Sequence, residues 1–153
     1  MRHKKKGLIV CDIDNTVSVL GENRAKMLLE PVIDWDAFYT DPFNDESIDS
    51  SCSKIRALMN NGFRVVFSTS RRETVRDKTL GWLQRNINRN IHDGMLIMRP
   101  NDCHAPEAEQ KVNGVLSRYH ASDIALVIDD NQSVLDAWRA VGVPVLNACM
   151  LQS

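Results

Sequence analysis

Short apolar runs alternate along this chain with longer stretches whose hydrophobic residues recur at three- and four-residue spacing. That pattern belongs to parallel strands joined by amphipathic helices. Leu8 to Cys11 predicts a first strand and Arg64 to Ser68 (RVVFS) a second, and Met95 to Met98, Ile124 to Ile128 and Val143 to Leu146 predict three more. Between the first two, Ile48, Ile55, Leu58 and Met59 mark a helix entered through the polar Asp45, Glu46 and Ser47. Further helices are expected from Thr74 to Arg85, with Val75, Leu80, Trp82 and Leu83 facing inward, from Glu107 to Tyr119, and from Gln132 through Val134, Leu135 and Trp138. Asn61-Gly62 and Gly142 supply turns from helix back to strand. The expected fold is a three-layer α/β/α arrangement around a parallel sheet, with residues 1–153 forming one domain.

One stretch breaks the alternation. Residues 17 to 47 are too many for a simple strand-to-helix loop, and they interleave Trp35, Phe38, Tyr39 and Phe43 with Asp34, Asp36, Asp41 and Asp45. The segment reads as a small cap insertion over the C-terminal edge of the sheet, its aromatics packing the cap or stacking a base.

Composition narrows the function. At 43% hydrophobic and 25% charged the chain is an ordinary globular protein, and a net charge of -1 selects no anionic partner by bulk field. Basic residues cluster locally, in Arg2, Lys4, Lys5 and Lys6 and again in Arg71, Arg72, Arg76, Lys78, Arg85 and Arg89. Cys11, Cys52, Cys103 and Cys149 form no CxxC pair, which argues against zinc and disulfides and fits a reducing cytoplasm. His92, His104 and His120 lack ligand spacing and are expected at the surface. No apolar run is long enough for a membrane span, so no membrane partner is expected.

The chemistry gathers at the strand ends, where open parallel sheets bind ligands. The first strand ends at Asp12, followed by Asp14 and Thr16; the second ends at Thr69, Ser70 and Arg71; the fourth ends in Asp129-Asp130. Lys111 lies on the intervening helix, with Glu107 one turn before it and able to hold its ammonium. A carboxylate at a strand tip can attack phosphorus, and a second one two residues on can protonate the leaving oxygen and then activate water. Several carboxylates in one place repel each other unless a hard cation joins them, and ligands that are all oxygen favour Mg2+. Thr69 and Lys111 would donate to the phosphoryl oxygens. Arg24 and Arg99 are further candidates for gripping substrate.

The run Asp12-Ile13-Asp14-Asn15-Thr16 resembles the DxDxT signature of the haloacid dehalogenase (HAD) superfamily of phosphatases, with Thr69, Lys111 and Asp129-Asp130 resembling its second, third and fourth motifs. That resemblance implies Asp12 as nucleophile and metal ligand and Asp14 as general acid/base that also gives the metal its backbone carbonyl. It implies Asp130 as direct ligand supported by Asp129, and Thr16 as an orienting group. The stretch IALVIDDNQSVLDAWRAVGVPVLN, with FSTSRRET, TLGWL and LIMRP before it, resembles the 3′-phosphatase domain of phage-type polynucleotide kinase/phosphatases. Trp35 to Tyr39 and Arg24 resemble the small cap of such members, and Arg71 matches their arginine, which together with Ser70 would bind substrate. Asn15 and Ser70 stand where glycine is common, and Asn15 is expected to tolerate a left-handed turn. The resemblance implies removal of 3′-terminal phosphates from DNA or RNA ends by a phosphatase half without its P-loop kinase. A nucleotidase acting on free mononucleotides and a catalytically silent binding module on the same fold are the alternatives.

Overall fold

The computed structural model describes residues 6–38 and 45–152. Strand β1 (Leu8–Cys11) leads through a tight turn into β2 (Ser18–Val19), then α1 (Glu22–Met27) and α2 (Trp35–Phe38). After β3 (Glu46–Ser47) and α3 (Asp49–Asn60), β4 runs from Arg64–Arg72 and α4 from Arg76–Asn86. Then follow β5 (Leu96–Arg99), α5 (Glu107–Leu116), β6 (Ile124–Asp129), α6 (Gln132–Ala140) and β7 (Val145–Asn147).

Five strands form one parallel sheet in the order β5-β4-β1-β6-β7. The chain builds outward on one side of β1 through β4 and β5, then crosses to the other side for β6 and β7. β1 therefore lies at the topological switch point, where the flanking connections diverge and leave a crevice at the carboxyl ends. All four β1 residues are buried because helices cover both faces of the sheet. Ile9 and Cys11 point into one core layer with Cys52 and Ile55 of α3 and Trp82 and Leu83 of α4. Leu8 and Val10 point into the other with Val115 of α5 and Val134 and Trp138 of α6. Strand alternation thus assigns each side chain to its layer, and the two tryptophans are the large side chains that fill them.

Local chemistry sets the turns. Gly62 and Gly142 take positive φ (90° and 81°) where α3 and α6 turn back to strands. Asn131 caps α6 by accepting from the Ser133 amide at 2.9 Å.

Several boundaries shift from the sequence pattern. β4 continues four residues past Ser68, because its pairing with β5 is irregular: Ser68 pairs with Ile97, yet Arg72 pairs with Arg99. Three β4 residues, Thr69, Ser70 and Arg71, therefore stand against Met98 alone, a bulge that re-aims their side chains. The helix expected from Thr74 is a 3-10 turn over Glu73–Val75 before α4 begins. Glu46 and Ser47, expected as a polar helix entry, instead pair antiparallel with Ser18 and Val19. This two-stranded ribbon closes the base of the predicted insertion, whose α1 and α2 lie between its strands. Tyr39 and Phe43, two of the expected cap aromatics, lie outside the described residues.

Candidate active site

β1 ends in a turn built on one carbonyl. Ile13 O accepts from the amides of Thr16, Val17 and Ser18 at 3.0–3.2 Å, while the Asn15 amide donates to Ser18 O at 2.7 Å. So tight a reversal needs one left-handed residue, and Asn15 supplies it with φ 64°. The turn presents Asp12 and Asp14 at the sheet edge and brings Thr16 back over Asp12.

Asp12 is buried and both of its carboxylate oxygens are engaged: Thr16 Oγ1 donates to Oδ2 at 2.9 Å, and Lys111 Nζ donates to Oδ1 at 2.9 Å. The same ammonium donates to Asp129 Oδ2 at 2.8 Å and pairs with Glu107 Oε1 at 3.0 Å, the one-turn partner expected from spacing. Asp129 Oδ1 accepts from the Asn131 amide, and Asn131 Nδ2 donates to Glu107 Oε2 at 2.7 Å. Three elements from distant parts of the chain, β1, α5 and β6, thus close on one ammonium.

Oxygens of Asp12, Asp129 and the exposed Asp130 lie within 4.8 Å of one another. With Glu107 the cluster holds four carboxylates and one lysine, which contacts three of them, so it is short of positive charge. Burial pushes the Asp12 and Asp129 carboxyls up, against the pull of Lys111. Lys111 itself is pushed up, because Asp12, Asp129 and Glu107 outweigh its own desolvation. Burial alone would raise Glu107, but Lys111 and Asn131 bring it below its ordinary value. An all-oxygen donor set that lacks cation charge fits a hard divalent cation. Cys11, beside Asp12, is a buried thiol pushed up by desolvation and then by Asp12 and Asp129, so it is an inert core residue.

Asp14 takes the other side of the edge. Arg71 holds it in a bidentate pair, Nε to Oδ2 at 3.0 Å and Nη2 to Oδ1 at 2.7 Å. Burial would raise this carboxyl, yet Arg71 overcomes it and holds Asp14 below the ordinary carboxylate range. Thr69 is fully buried; its Oγ1 accepts from the Arg71 amide at 3.1 Å, leaving its proton for another acceptor. Gln110 spans the gap to α5, donating to Thr69 O at 3.3 Å and accepting from Ser70 Oγ at 3.1 Å.

Two arginines expected to grip substrate turn inward instead. Arg71 is 1% exposed and also reaches Asp45 (3.2 Å) and Thr79 (3.2 Å), so it positions Asp14 from beneath. Arg24 is buried in the insertion, where it donates to Phe38 O at 2.8 Å and to the Asp45 carboxylate and covers the Phe38 ring at 4.5 Å. Neither guanidinium lines the open edge, because each is spent on the shared buried anion Asp45. Arg99 stays at the edge, donating to the carbonyls of Cys103 and Ala105. Sequence reasoning missed Asp45, Asn131 and Gln110. Only Asn131 carried a local signal, an Asx residue just before a helix.

Comparisons with known proteins bear on the fold and the family. No curated protein sequence matches the chain. Two solved structures, "Structure of Pnkp1/Rnl/Hen1 complex" and "Structure of the Pnkp1/Rnl/Hen1 RNA repair complex", share the fold at TM-scores of 0.69 and 0.73 and identities of 19% and 17%. They cover 95% and 96% of this chain, which spans only 47% and 44% of theirs, a little under half. The class C acid phosphatase from Bacillus anthracis with tungstate bound superposes at TM-score 0.67 with 20% identity, covering 91% of this chain and 61% of its own. The family model described as the polynucleotide kinase PNKP phosphatase domain matches residues 6–149. With nearly its whole length inside that match and its carboxylates gathered at the switch point, the chain belongs to the PNKP phosphatase-domain family of HAD phosphatases.

Proposed function

We propose that this phosphatase removes the terminal phosphate from the 3′ end of a nucleic-acid strand through an aspartyl-phosphate on Asp12. The observation that carries the reading is the Asp12 carboxylate held between Thr16 and Lys111 beside Asp129 and Asp130. The match to a polynucleotide kinase phosphatase domain and the likeness to a chain from an RNA repair complex support the substrate class.

In the first step an Asp12 oxygen forms a bond to phosphorus as the bond to the 3′ oxygen breaks, and that oxygen takes a proton from Asp14. In the second, water attacks the phosphoryl group, Asp14 accepts its proton, the bond to Asp12 breaks and inorganic phosphate leaves. Arg71 favours the ionised form of Asp14, the form the second step uses. A phosphate dianion arriving beside Asp14 opposes that charge and favours the protonated form the first step uses. Lys111 and the Thr69 hydroxyl donate to the phosphoryl oxygens, where charge develops. Asp12, Asp130 and the Asp14 carbonyl would hold magnesium, with Asp129 in support, and the ion would supply the charge that the carboxylate cluster lacks. Four free cysteines support a reducing cytoplasmic setting, and among the described residues no helix is long and apolar enough to cross a membrane.

The test is phosphate release, with magnesium, from a 3′-phosphorylated oligonucleotide and from 3′- and 5′-mononucleotides, with Asp12→Asn as control. The expected result is preference for the oligonucleotide and turnover abolished by the substitution, since an amide cannot form the acyl phosphate. Preference for mononucleotides would replace this reading with a nucleotidase. Near-wild-type activity in Asp12→Asn would overturn the assignment of the nucleophile.

A further inference from the structure

Beside the carboxylate cluster lies a cavity of about 440 Å³ lined by Trp35, Ser70, Arg72, Arg99 and Glu107. Glu107 ties this cavity to the chemistry, since it pairs at 3.0 Å with Lys111, which itself contacts Asp12 at 2.9 Å. The cavity therefore opens two contacts from the proposed nucleophile.

Its walls carry charge that no described carboxylate neutralises. Arg72 Nη1 donates to the carbonyls of Pro100, Asn101 and Cys103, and Arg99 Nη1 to those of Cys103 and Ala105. Both guanidiniums thus brace the loop after β5 through neutral acceptors, and among the described residues neither meets a carboxylate within 4 Å. The one acid on the wall, Glu107, is already bound to Lys111 and Asn131. Among the described residues, two positive charges are left for an anion.

Of the two remaining wall residues, Ser70 and Trp35, the aromatic one is braced from its own helix. Trp35 is 51% exposed, whereas Trp82 and Trp138 are buried. Its ring meets Phe38 edge-on, with centroids 5.4 Å apart at 83°, and Phe38 is in turn held under the Arg24 guanidinium. That contact leaves Trp35 half exposed, and a flat ring is the kind of group an exposed indole stacks.

We infer that this cavity is a subsite for the nucleotide preceding the terminal one, its base stacked on Trp35 and its phosphodiester set against Arg72 and Arg99. The inference rests on the phosphoryl site proposed above and extends it: the enzyme measures whether a second nucleotide is present. Aromatic stacking tolerates any base, so the subsite selects strand over mononucleotide without selecting sequence.

Because Trp35 is the exposed tryptophan of the three, its fluorescence reports occupancy directly. A 3′-phosphorylated dinucleotide titrated into the Asp12→Asn protein is expected to quench the solvent-exposed part of the emission, and the same titration into Asp12→Asn with Trp35→Phe is expected to show no such quenching. In turnover, Trp35→Ala is expected to lower kcat/KM on the dinucleotide on the order of ten-fold, while a mononucleoside 3′-phosphate changes less than about two-fold. Arg72→Gln is expected to flatten the salt dependence on the dinucleotide by about one phosphate contact. Equal loss on both substrates, or no quenching at saturating dinucleotide, overturns the subsite. Quenching without hydrolysis keeps the subsite and defeats the proposed substrate, whereas hydrolysis unaffected by Trp35→Ala defeats the subsite alone.

Discussion

Replacing Lys111 by methionine isolates the charge at the centre of the cluster, because methionine keeps most of the chain length and removes only the ammonium. The structure says what is left behind. Asp12 and Asp129, with side chains 4% and 3% exposed, lose donors at 2.9 and 2.8 Å, and Glu107, 36% exposed, loses one at 3.0 Å. Solvent screens Glu107 and its share is small. The two buried carboxylates dominate, and removing one partner of a buried ion pair costs about 3–5 kcal/mol. For a chain of this size each kcal/mol moves Tm by roughly 2–4 °C, so the variant is expected to melt roughly 6–20 °C below wild type at pH 8 in EDTA. Without Lys111, burial raises the two carboxyls further, with only the Asn131 amide still opposing it at Asp129. Folded carboxyls raised above their unfolded value bind protons that the unfolded chain has released, so the variant's stability falls as pH climbs above about 4 and the gap to wild type closes on acidification. Added magnesium should restore more stability to Lys111→Met than to wild type, since the emptied site is more negative. Calorimetric scans at pH 5 and pH 8, each with EDTA and with magnesium, measure all three effects. A Tm within about 2 °C of wild type at pH 8 in EDTA, with no dependence on pH, would refute the claim that Lys111 neutralises this cluster.

Arg71→Gln should cost about 3–5 kcal/mol near neutral pH, because it leaves Asp45 with one fewer partner in a nearly fully buried site. Asp14 sits below its unfolded value chiefly through Arg71, with Arg24 and Lys111 adding to the effect, so that pairing stabilises above about pH 4 and is lost as pH falls through the folded value. Urea midpoints at pH 7 and pH 3 should show the larger loss at pH 7, and equal losses would exclude the pair as the cause. Asn15→Val should lower stability by about 1–2 kcal/mol, since a β-branched residue strains at φ 64°, while Asn15→Gly should be near neutral. Equal urea midpoints for the two variants would show that the turn can refold around a different angle.

What could be read from the sequence was local. The first strand, the DxD turn and its left-handed Asn15, the Glu107–Lys111 pair and the helix-to-strand turns at Gly62 and Gly142 all depend on residues within about one helical turn of each other. The bulge at Thr69 to Arg71 escaped because the apolar run of β4 ends at Ser68, and what carries the strand onward is its partner β5, thirty residues away. Ser18–Val19 and Glu46–Ser47 are too short to show a period of two, and only their pairing makes them strands.

Asp45 escaped for the same reason in stronger form, because it joins the insertion to Asp14 through contacts far apart in sequence. Its carboxylate accepts from Arg24 of α1 twenty-one residues before it, from Arg71 of β4 twenty-six residues after it, and from the Gly21 amide at 3.1 Å. Trp82 of α4 donates to its carbonyl at 2.7 Å. One buried anion therefore joins the insertion, the bulged strand and the helix behind it. Arg24 cannot shift without uncovering Phe38, which braces Trp35, and Arg71 cannot shift without releasing Asp14. The aromatic wall and Asp14 are thus set by the same carboxylate. A substitution that unseats the insertion must be felt at Asp14, because Asp45 and, at 3.5 Å, the Ser18 hydroxyl both touch the arginine that holds it.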